Sequence, residues 1–344
     1  MNVEKIDLLE AQCFFRHLAG NERLNISAKN LSPAAQAFYQ QITFYHGKVP
    51  DDIQKISSDI LSQIQKLIVR LIPLCQIGLK YDVYLAGGCL RDLLLGNHNN
   101  IKDIDVIFTI TPDSVVSLIK NTPIFTLESI FGKNIIQYTD WTSASDVKKI
   151  HGLFHYCLSK NYNITRGYSI EDIKEKNTQK EYGSILNENL EGIITIKSEE
   201  DTYPMDILLT TSSIDIYLRS FNFEICKIYI PFFTHNNGKF VTNIIDFLEQ
   251  IHVKSGFIDD AKNKTVTFYM EKQKSIEMIE RSMTKHFPRI IAKYPNHKLV
   301  LNAGTNTEYA QWKIKYEGYT NLNSELPHKV EISSLAPPAK VLKV

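Results

Sequence analysis

The chain has 344 residues, of which 43% are hydrophobic and 22% are charged, and its formal net charge is +1. These values are ordinary for a globular protein of two or three domains and exclude a largely disordered chain. A charge so close to neutral gives no general attraction to nucleic acid, so binding to RNA or DNA would require a local basic patch.

The cysteines and the N-terminus indicate the compartment. The five cysteines are scattered, odd in number and contain no Cys-x-x-Cys pair, which favours buried thiols in a reducing environment. The first residues include early acids and no apolar signal core, and the longest apolar run, 67–79, contains Arg70 and is too short to span a bilayer. We therefore expect a soluble cytoplasmic protein.

Residues 1–80 are predicted to form a helical N-terminal extension. Asp51 and Asp52 follow Pro50, as at the start of a helix, and apolar residues then recur at steps of three and four. These residues are Ile53, Ile56, Ile60, Ile64, Leu67, Ile68 and Leu71. Such a helix typically packs onto the neighbouring domain.

The stretch 84–108 has the pattern strand, turn, helix, turn, strand. An apolar run leads to Gly87 and Gly88, a helical stretch stops at Gly96, and a second apolar run begins near Ile104. Because glycine lacks a Cβ atom, the backbone of the two glycines can approach a phosphate at the N-terminus of the following helix, where the helix dipole favours anions.

Two acids, Asp103 and Asp105, accompany the second strand-like run. One residue separates them, so at strand spacing both carboxylates lie on the same face. Hard oxygen ligands suit Mg²⁺, which takes one or two carboxylates and completes its shell with water and substrate phosphate. A phosphate site and metal ligands are therefore predicted side by side.

This stretch resembles the head domain of the polymerase-β-like nucleotidyltransferase superfamily, most closely the branch of CCA-adding enzymes and bacterial poly(A) polymerases. A glycine pair alone is more often a tight turn, and a lone Asp-x-Asp is usually a solvated edge, but all the elements in order rarely arise by chance. The motifs are Gly87-Gly88-Cys89-Leu90-Arg91-Asp92, Leu94-Leu95-Gly96 and Asp103-Ile104-Asp105.

The resemblance implies an α/β (α+β) fold with a short mixed sheet, flanked by helical N-terminal and C-terminal regions. The nucleotidyltransferase head domain would occupy 81–235, with an insertion at about 140–192. A C-terminal helical, neck-like region would follow over 236–320, and a flexible tail over 321–344.

Between the motif and the insertion, a helix is predicted over 114–120. Two strands are then predicted near 124–125 and 134–138. Phe131-Gly132-Lys133 resembles the Phe-Gly-Thr that begins the next strand in the family.

Within the insertion, His151 and His155 stand four residues apart, a spacing that on a helix can place two imidazoles on one metal. Only Cys157 is near enough in sequence to add a ligand, and Gly152 weakens the helix. A surface or packing role is therefore favoured for both histidines.

Asp206 is a single acid inside the apolar run 205–209. A buried unpaired charge is costly unless a metal or cation compensates for it. Asp206 is therefore a candidate third catalytic carboxylate, at the position where the family carries an acid on the strand next to Asp-x-Asp. The alternative is that Asp206 lies on an edge strand and faces water. The family also carries an Arg a few residues after this acid, whereas this chain has Leu209 and Thr210 there.

The segment 218–226 resembles the Arg-Arg-Asp-Phe-Thr-Ile-Asn-Ala segment that closes the nucleotide pocket in the family. By this resemblance Arg219 would lie near the triphosphate or the base, whereas Ser220 and Glu224 replace the family's Asp and Asn. Core packing explains the Phe and Ile positions equally well.

The C-terminal region is predicted to contain a turn at Gly256, a strand over 264–269 and a helix from 271 to about 287, which Pro288 should end or kink. This helix lacks the Glu-Asp-x-x-Arg motif with which CCA-adding enzymes read the incoming base.

On that helix, Arg281 and Lys285 would share one face, because they stand four residues apart. This face is either simply solvated or a strip that faces nucleotide or RNA.

The activity implied by the resemblance is that of a metal-dependent nucleotidyltransferase. It would transfer a nucleoside monophosphate from an NTP, ATP and/or CTP, to the 3′ end of a tRNA or another RNA and release pyrophosphate, as an ATP-binding and RNA-binding transferase in tRNA processing. Asp103, Asp105 and Asp206 would be the catalytic residues and the ligands of two Mg²⁺ ions. The nucleotide-binding residues would be Gly87, Gly88, Arg91, Asp92 and Arg219. Alternatively, Asp92 would orient the helix or Arg91.

Two alternatives stay open at this point. The acceptor could be a protein or small-molecule hydroxyl, as in toxin-like nucleotidyltransferases, which the neutral net charge and the absent base-reading motif favour. A non-catalytic nucleotide-binding relative is the other alternative, and the retained acids argue against it. The acceptor, the preferred NTP and the oligomeric state do not follow from the sequence.

Overall fold

The computed structural model describes residues 51–135, 141, 144–175, 189–235, 239–241, 250–270 and 276–303. The predicted extension before Asp51 and all residues after Ala303, including the predicted tail, lie outside the described residues.

Within the described residues, eight strands form one mixed sheet, in the order β3-β4-β5-β2-β1-β6-β7, with β8 also paired to β6. Strands β2 and β5 are parallel, and all the other neighbouring pairs are antiparallel. The strands are β1 (Tyr81–Ala86), β2 (Ile104–Ile110), β3 (Asn163–Ser169), β4 (Gly192–Lys197), β5 (Met205–Thr210), β6 (Ile228–Thr234), β7 (Lys239–Phe240) and β8 (His252–Val253). The predicted α/β (α+β) class with a mixed sheet is confirmed. A separate parallel pair is formed by β9 (Thr265–Tyr269) and β10 (Lys298–Asn302).

Ten α-helices lie in the described part of the chain. They are α1 (Asp51–Gln76), α2 (Gly88–Leu94), α3 (Pro112–Asn121), α4 (Ile124–Phe131), α5 (Asp146–Ser159), α6 (Ile170–Glu175), α7 (Ile214–Arg219), α8 (Ser255–Asn263), α9 (Ile276–Arg281) and α10 (Phe287–Lys293). A π-helical turn, Ser282–His286, joins α9 to α10. None of the described helices combines the length and apolar character needed to cross a bilayer.

The long helix α1 confirms the predicted apolar periodicity. Its residues Ile60, Ile64, Leu67, Ile68 and Leu71 are fully buried in the main hydrophobic core. Burial of one such side chain stabilises a fold by roughly 1.5–3 kcal/mol. The helix therefore packs firmly onto the domain that carries the motif.

The two faces of the sheet contribute to two different cores. Val83 and Leu85 on β1 belong to the larger core, which includes residues of α1 and α5. Tyr84 and Ala86 point to the other face, where a smaller cluster includes residues of α7. One face is thus thickly covered, whereas the other is covered by a short helix.

The acids of the motif lie on the thinly covered face. Asp105 shares strand parity with Ile107, and Asp206 shares it with Leu208, and both of these apolar residues belong to the smaller cluster. Each acid stands near the start of its strand, and neither belongs to the apolar cluster. This end of the face can therefore form a cleft.

The strands predicted near 124–125 and 134–138 are wrong wherever the structure describes them, since 124–131 form α4 and 134–135 are helical. Leu127 and Phe131 are buried at a spacing of four, which is helical rather than strand periodicity. Gly132, with φ +95°, ends the helix and does not open a strand.

The predicted insertion, 140–192, contributes to the core in its described parts. Ser145 caps α5 by accepting a hydrogen bond from the Lys148 backbone N–H at 3.2 Å. On α5, the Phe154 ring packs edge-on against Tyr81 and Phe108, with centroids 6.0 and 5.2 Å away. Strand β3 then extends the sheet beside β4, so this region supplies both a core helix and a strand.

His151, on α5, has the predicted packing role. It is buried, and its Nε2 lies 3.4 Å from the carbonyl oxygen of Ile193. Burial lowers the pKa of His151 to about 4, and His155 lowers it further, while the contact with Ile193 and the charge of Asp172 oppose the shift. No group of three or more metal-ligand residues includes these histidines in the described part of the chain.

The lowered pKa of His151 predicts acid sensitivity. The unfolded chain binds a proton on this residue near pH 6.5 but the folded chain only near pH 4, so stability should fall as the pH drops through that interval. A shift of this size corresponds to about 3 kcal/mol. We expect urea unfolding of His151→Leu from pH 4 to 7 to show a flatter pH dependence than the wild type. His155→Leu, at a half-buried site, should flatten it less, and equal slopes for wild type and His151→Leu would refute the prediction.

In the C-terminal region, the predicted turn at Gly256 and the predicted end of the helix at Pro288 are wrong. Gly256 lies inside α8 rather than in a turn, and its missing Cβ makes room for the Glu224 side chain. Pro288 does not end the helical path, because it stands in the first turn of α10, where its missing N–H is tolerated after the π-helical turn. Arg289 therefore lies on a helix. The strand predicted over 264–269 is confirmed as β9.

The described cysteines are all free thiols. Cys75, Cys89 and Cys157 are buried, and Cys226 is half-buried. Cys13 lies outside the described residues.

Candidate active site

The glycine turn between β1 and α2 forms one side of the site. Gly87 has φ +80° and donates its N–H to the carbonyl of Ile228 at 3.1 Å, and Gly88 is the first residue of α2. A Cβ atom on Gly87 would lie 3.0 Å from Asp105 Oδ2 and 3.3 Å from Phe221 Cε2. Both the backbone conformation and the close approach of the acid therefore require glycine here.

The three predicted acids come together beside this turn. Asp105 on β2 and Asp206 on β5 are direct partners in the parallel register, and Asp103 immediately precedes β2. All three line one cleft together with Gly87 and Gly88. The arrangement follows from the predicted strand spacing and from the pairing of β2 with β5.

The environment of Asp105 disfavours its ionised form. Burial raises its pKa well above the usual range, and the charges of Asp103 and Asp206 raise it further, whereas Arg91 lowers it. The acids therefore repel one another at short range in a poorly solvated place.

Burial and a neighbouring acid also raise the pKa of Asp206, but a hydrogen bond and a nearby cation oppose this shift. Burial raises its pKa, the Thr195 hydroxyl lowers it by donating a hydrogen bond to Oδ1 at 2.5 Å, Asp103 raises it and Arg166 lowers it. Thr195 stands opposite Asp206 in the β4–β5 register, so this neighbouring strand holds the carboxylate in place.

The cleft has a volume of about 750 Å³. Ligand pockets typically measure roughly 300–1,000 Å³, so this cleft can hold a single nucleotide. Its lining is acidic on the β2–β5 side and carries the glycine turn at its base.

The comparison with family models finds a similarity for the part of the chain that carries the glycine turn and two of the acids. Residues 83–190 match the model of the poly A polymerase head domain. This part of the chain is therefore similar to the poly A polymerase head domain. The resemblance to the polymerase-β-like nucleotidyltransferases, in the branch of CCA-adding enzymes and poly(A) polymerases, is thereby confirmed. The match spans less than a third of the chain and includes Asp103 and Asp105, but it ends before Asp206.

Other comparisons add little. A solved structure called "Structure of tRNA-processing enzyme complex 3" aligns with 65% of this chain at 15% identity and a TM-score of 0.28, and the alignment covers 40% of that chain. A TM-score this low supports neither a shared fold nor a shared function. No curated protein matches the chain.

The oxygen ligands offered by Asp103, Asp105 and Asp206 suit the Mg²⁺ predicted from the sequence. In the described residues they do not form a closed group of three or more ligands. However, Mg²⁺ needs only one or two carboxylates and takes water and phosphate oxygens as its remaining ligands. The raised pKa values of Asp105 and Asp206 show negative charge that the protein leaves partly uncompensated, as expected of a cation site.

Arg91 and Asp92 of the head domain line the cleft but are engaged with protein groups. Asp92 Oδ1 accepts hydrogen bonds from Arg91 Nε at 2.7 Å and Nη2 at 2.6 Å, and Arg91 Nη1 lies 3.1 Å from Cys226 Sγ. Both residues are buried. This geometry agrees with the role considered for Asp92 in orienting Arg91, and phosphate binding by either residue stays a prediction.

Arg219 lies elsewhere. It is exposed at the end of α7 and does not line the cleft. The same segment reaches the head domain's cleft through Phe221, whose ring packs edge-on against Tyr217 at 5.8 Å. The sequence marks Phe221 only as part of the resembled segment, and core packing explained it equally well there.

A further wall of the cleft comes from the π-helical turn and α10. His286, Arg289, Ile290 and Lys293 line it. Burial lowers the pKa of His286 to about 4, and the nearby cations Arg281, Arg289 and Lys285 lower it further, so the imidazole is neutral at pH 7. Sequence reasoning missed this wall, because Pro288 was expected to interrupt the helix that carries it.

Proposed function

We propose that the chain is a metal-dependent nucleotidyltransferase that moves a nucleoside monophosphate from an NTP, ATP and/or CTP, to the 3′ hydroxyl of an RNA. The observation that supports it is the convergence of Asp103, Asp105 and Asp206 beside the Gly87 turn in one cleft, together with the similarity of residues 83–190 to the poly A polymerase head domain.

In the proposed reaction, the acceptor oxygen attacks the α-phosphorus of the NTP. The bond from that phosphorus to the oxygen leading to the β-phosphate breaks, and pyrophosphate leaves. We assign the proton of the acceptor hydroxyl to one of the cleft carboxylates, Asp105 or Asp206. Mg²⁺ held by the three acids would neutralise the triphosphate and polarise the reacting oxygens. Gly87 and Gly88 leave room for the phosphates, and the cleft walls orient the reactants.

A local basic patch favours RNA over a small acceptor. Burial lowers the pKa of Lys285, and so do the charges of Arg281, Arg289 and Arg166. The four cations are therefore close to one another; Arg289 lines the cleft, and Arg166 is near enough to influence Asp206. Positive charge concentrated beside the cleft of an otherwise neutral protein is the feature that polynucleotide binding requires.

The test is incubation with each α-labelled NTP, Mg²⁺ and either total RNA or total cell protein. We expect label on RNA from ATP and/or CTP, lost with EDTA and in an Asp103→Asn/Asp105→Asn variant. If added salt weakens transfer to RNA more steeply than it weakens NTP binding, the result would support a contribution of the basic patch to RNA binding.

The other outcomes would redirect the proposal. Label on protein would indicate a protein acceptor, and NTP binding without transfer to either pool would indicate a small-molecule acceptor or a non-catalytic relative. Either result would contradict the RNA assignment.

A further inference from the structure

Asp92 is a buried carboxylate whose oxygens contact several polar and cationic side chains of the protein. It is 1% exposed. Besides Arg91, its Oδ1 accepts a hydrogen bond from Tyr294 Oη at 2.8 Å, and its Oδ2 accepts one from Lys293 Nζ. Asp92 thus joins α2, the helix after the glycine turn, to the end of α10, about 200 residues further along the chain.

Two more contacts reinforce this connection. Asn97 Nδ2 donates to the carbonyl oxygen of Lys293 at 2.5 Å, while the Asn97 backbone N–H donates to the carbonyl of Asp92 at 2.8 Å. The Arg91 guanidinium lies 5.4 Å from the centre of the Tyr294 ring, within cation–π range. The motif helix, the turn after it and the end of α10 therefore form one polar cluster.

The same α10 contributes to the cleft that holds the acids. Its residues Arg289, Ile290 and Lys293 line this cleft together with Gly87 and Asp105. The spacing between the walls consequently depends on where α10 is held relative to α2.

We propose that Asp92 is a positioning residue that acts through α10: it fixes the cationic wall at the separation from the glycine turn at which an NTP is bound. This proposal rests on the proposed function for its ligand. It assigns Asp92 contacts with Arg91, Lys293 and Tyr294 rather than with the nucleotide.

A purely electrostatic role for Asp92 and a positioning role predict opposite changes in NTP affinity for the Asp92→Asn variant. If the carboxylate only neutralised Arg91 and Lys293, then Asp92→Asn would release two cations beside the triphosphate and tighten NTP binding. If Asp92 positions α10, the same substitution should weaken binding, because the new amide N–H₂ faces the Lys293 ammonium and forces the two apart.

The first measurement is calorimetric titration of wild type, Asp92→Asn and Tyr294→Phe with MgATP and MgCTP. We expect Kd to rise about tenfold for Asp92→Asn and about threefold for Tyr294→Phe, which removes a contact of Asp92 without changing charge. The double variant should bind about as weakly as Asp92→Asn alone, because both substitutions break the same connection.

Asp260→Asn is the matched control for loss of a buried carboxylate. Asp260 is also 1% exposed and accepts hydrogen bonds from Thr265 Oγ1 and from the backbone and hydroxyl of Thr267. It does not line the cleft. We expect Asp260→Asn to lower the stability but to leave Kd unchanged at a temperature where every variant is folded.

A second readout follows the wall itself. Hydrogen exchange of peptides over 287–294 should quicken in Asp92→Asn and Tyr294→Phe but not in Asp260→Asn. Tighter or unchanged NTP binding, or weaker binding with unchanged exchange in α10, would overturn the proposal. Failure of the wild type to bind any NTP would instead overturn the proposed function, and the exchange rates would still decide whether Asp92 holds α10.

Discussion

Asp105→Asn is expected to abolish nucleotidyl transfer and, at the same time, to stabilise the metal-free protein. The loss of transfer should be on the order of 10³-fold or more, since the substitution removes a charged oxygen from the centre of the site. The stability change has the opposite sign because burial, Asp103 and Asp206 raise the pKa of Asp105 in the fold. An acid with a raised pKa makes the folded state less favourable once it ionises, so stability falls as the pH rises from the ordinary carboxyl pKa towards the raised one. A neutral isostere removes this cost at pH 7, with a gain on the order of 1 kcal/mol.

Urea unfolding in EDTA and in Mg²⁺, together with the transfer assay, measures both effects. Asp259→Asn is the control, because Asp259 is exposed and does not line the cleft, and we expect it to change neither quantity. Added Mg²⁺ should stabilise the wild type and Asp259→Asn more than Asp105→Asn. Activity within tenfold of wild type, or a less stable metal-free variant, would contradict the interpretation of Asp105.

The parts of the site that the sequence predicted are those set by local spacing. Gly87, Gly88, Asp103 and Asp105 lie within one short strand-turn-helix-turn-strand unit, so their separation along the chain determines their separation in space. Asp206 is farther away in sequence, but an isolated acid in an apolar strand is informative, and the β2–β5 register places it opposite Asp105.

The wall formed by α10 could not be predicted in the same way. His286, Arg289 and Lys293 line the cleft because the chain returns to it about 200 residues after α2, where Lys293 contacts Asp92 and Asn97, and such long-range packing leaves no periodic pattern. Arg219 shows the converse problem: its segment resembles a family motif, but a short helix turns this side chain outward.

The errors in secondary structure have local causes. Residues 124–131 contain isoleucine and phenylalanine, which favour strands, but burial of Leu127 and Phe131 on one helical face decided the outcome. At Pro288, the general rule that proline ends a helix was overridden by the π-helical turn before it, which allows proline to stand in a first turn.

Gly87→Ala is expected to damage both the fold and the site, more than its single added methyl group suggests. With φ +80° and ψ −141°, the residue occupies a region that is costly for any other amino acid, so we expect a loss of about 1–3 kcal/mol of stability. The new Cβ would also lie 3.0 Å from Asp105 Oδ2, so the carboxylate must shift. Because a displacement of about 1 Å can cost on the order of 10²-fold in rate, transfer should fall by about that factor even in fully folded protein.

Gly78→Ala separates the two effects. Gly78 follows α1 with φ +91°, and a Cβ placed there meets no other atom within 4 Å. This variant therefore has the backbone strain without the crowding, and it should lose about 1–2 kcal/mol of stability while its activity per folded molecule stays at the wild-type value. Rates measured well below both unfolding transitions make the comparison direct. Equal activities for the two variants would show that Gly87 serves only the turn, whereas a deficit confined to Gly87→Ala would show that the missing side chain is what lets Asp105 stand beside the glycine turn.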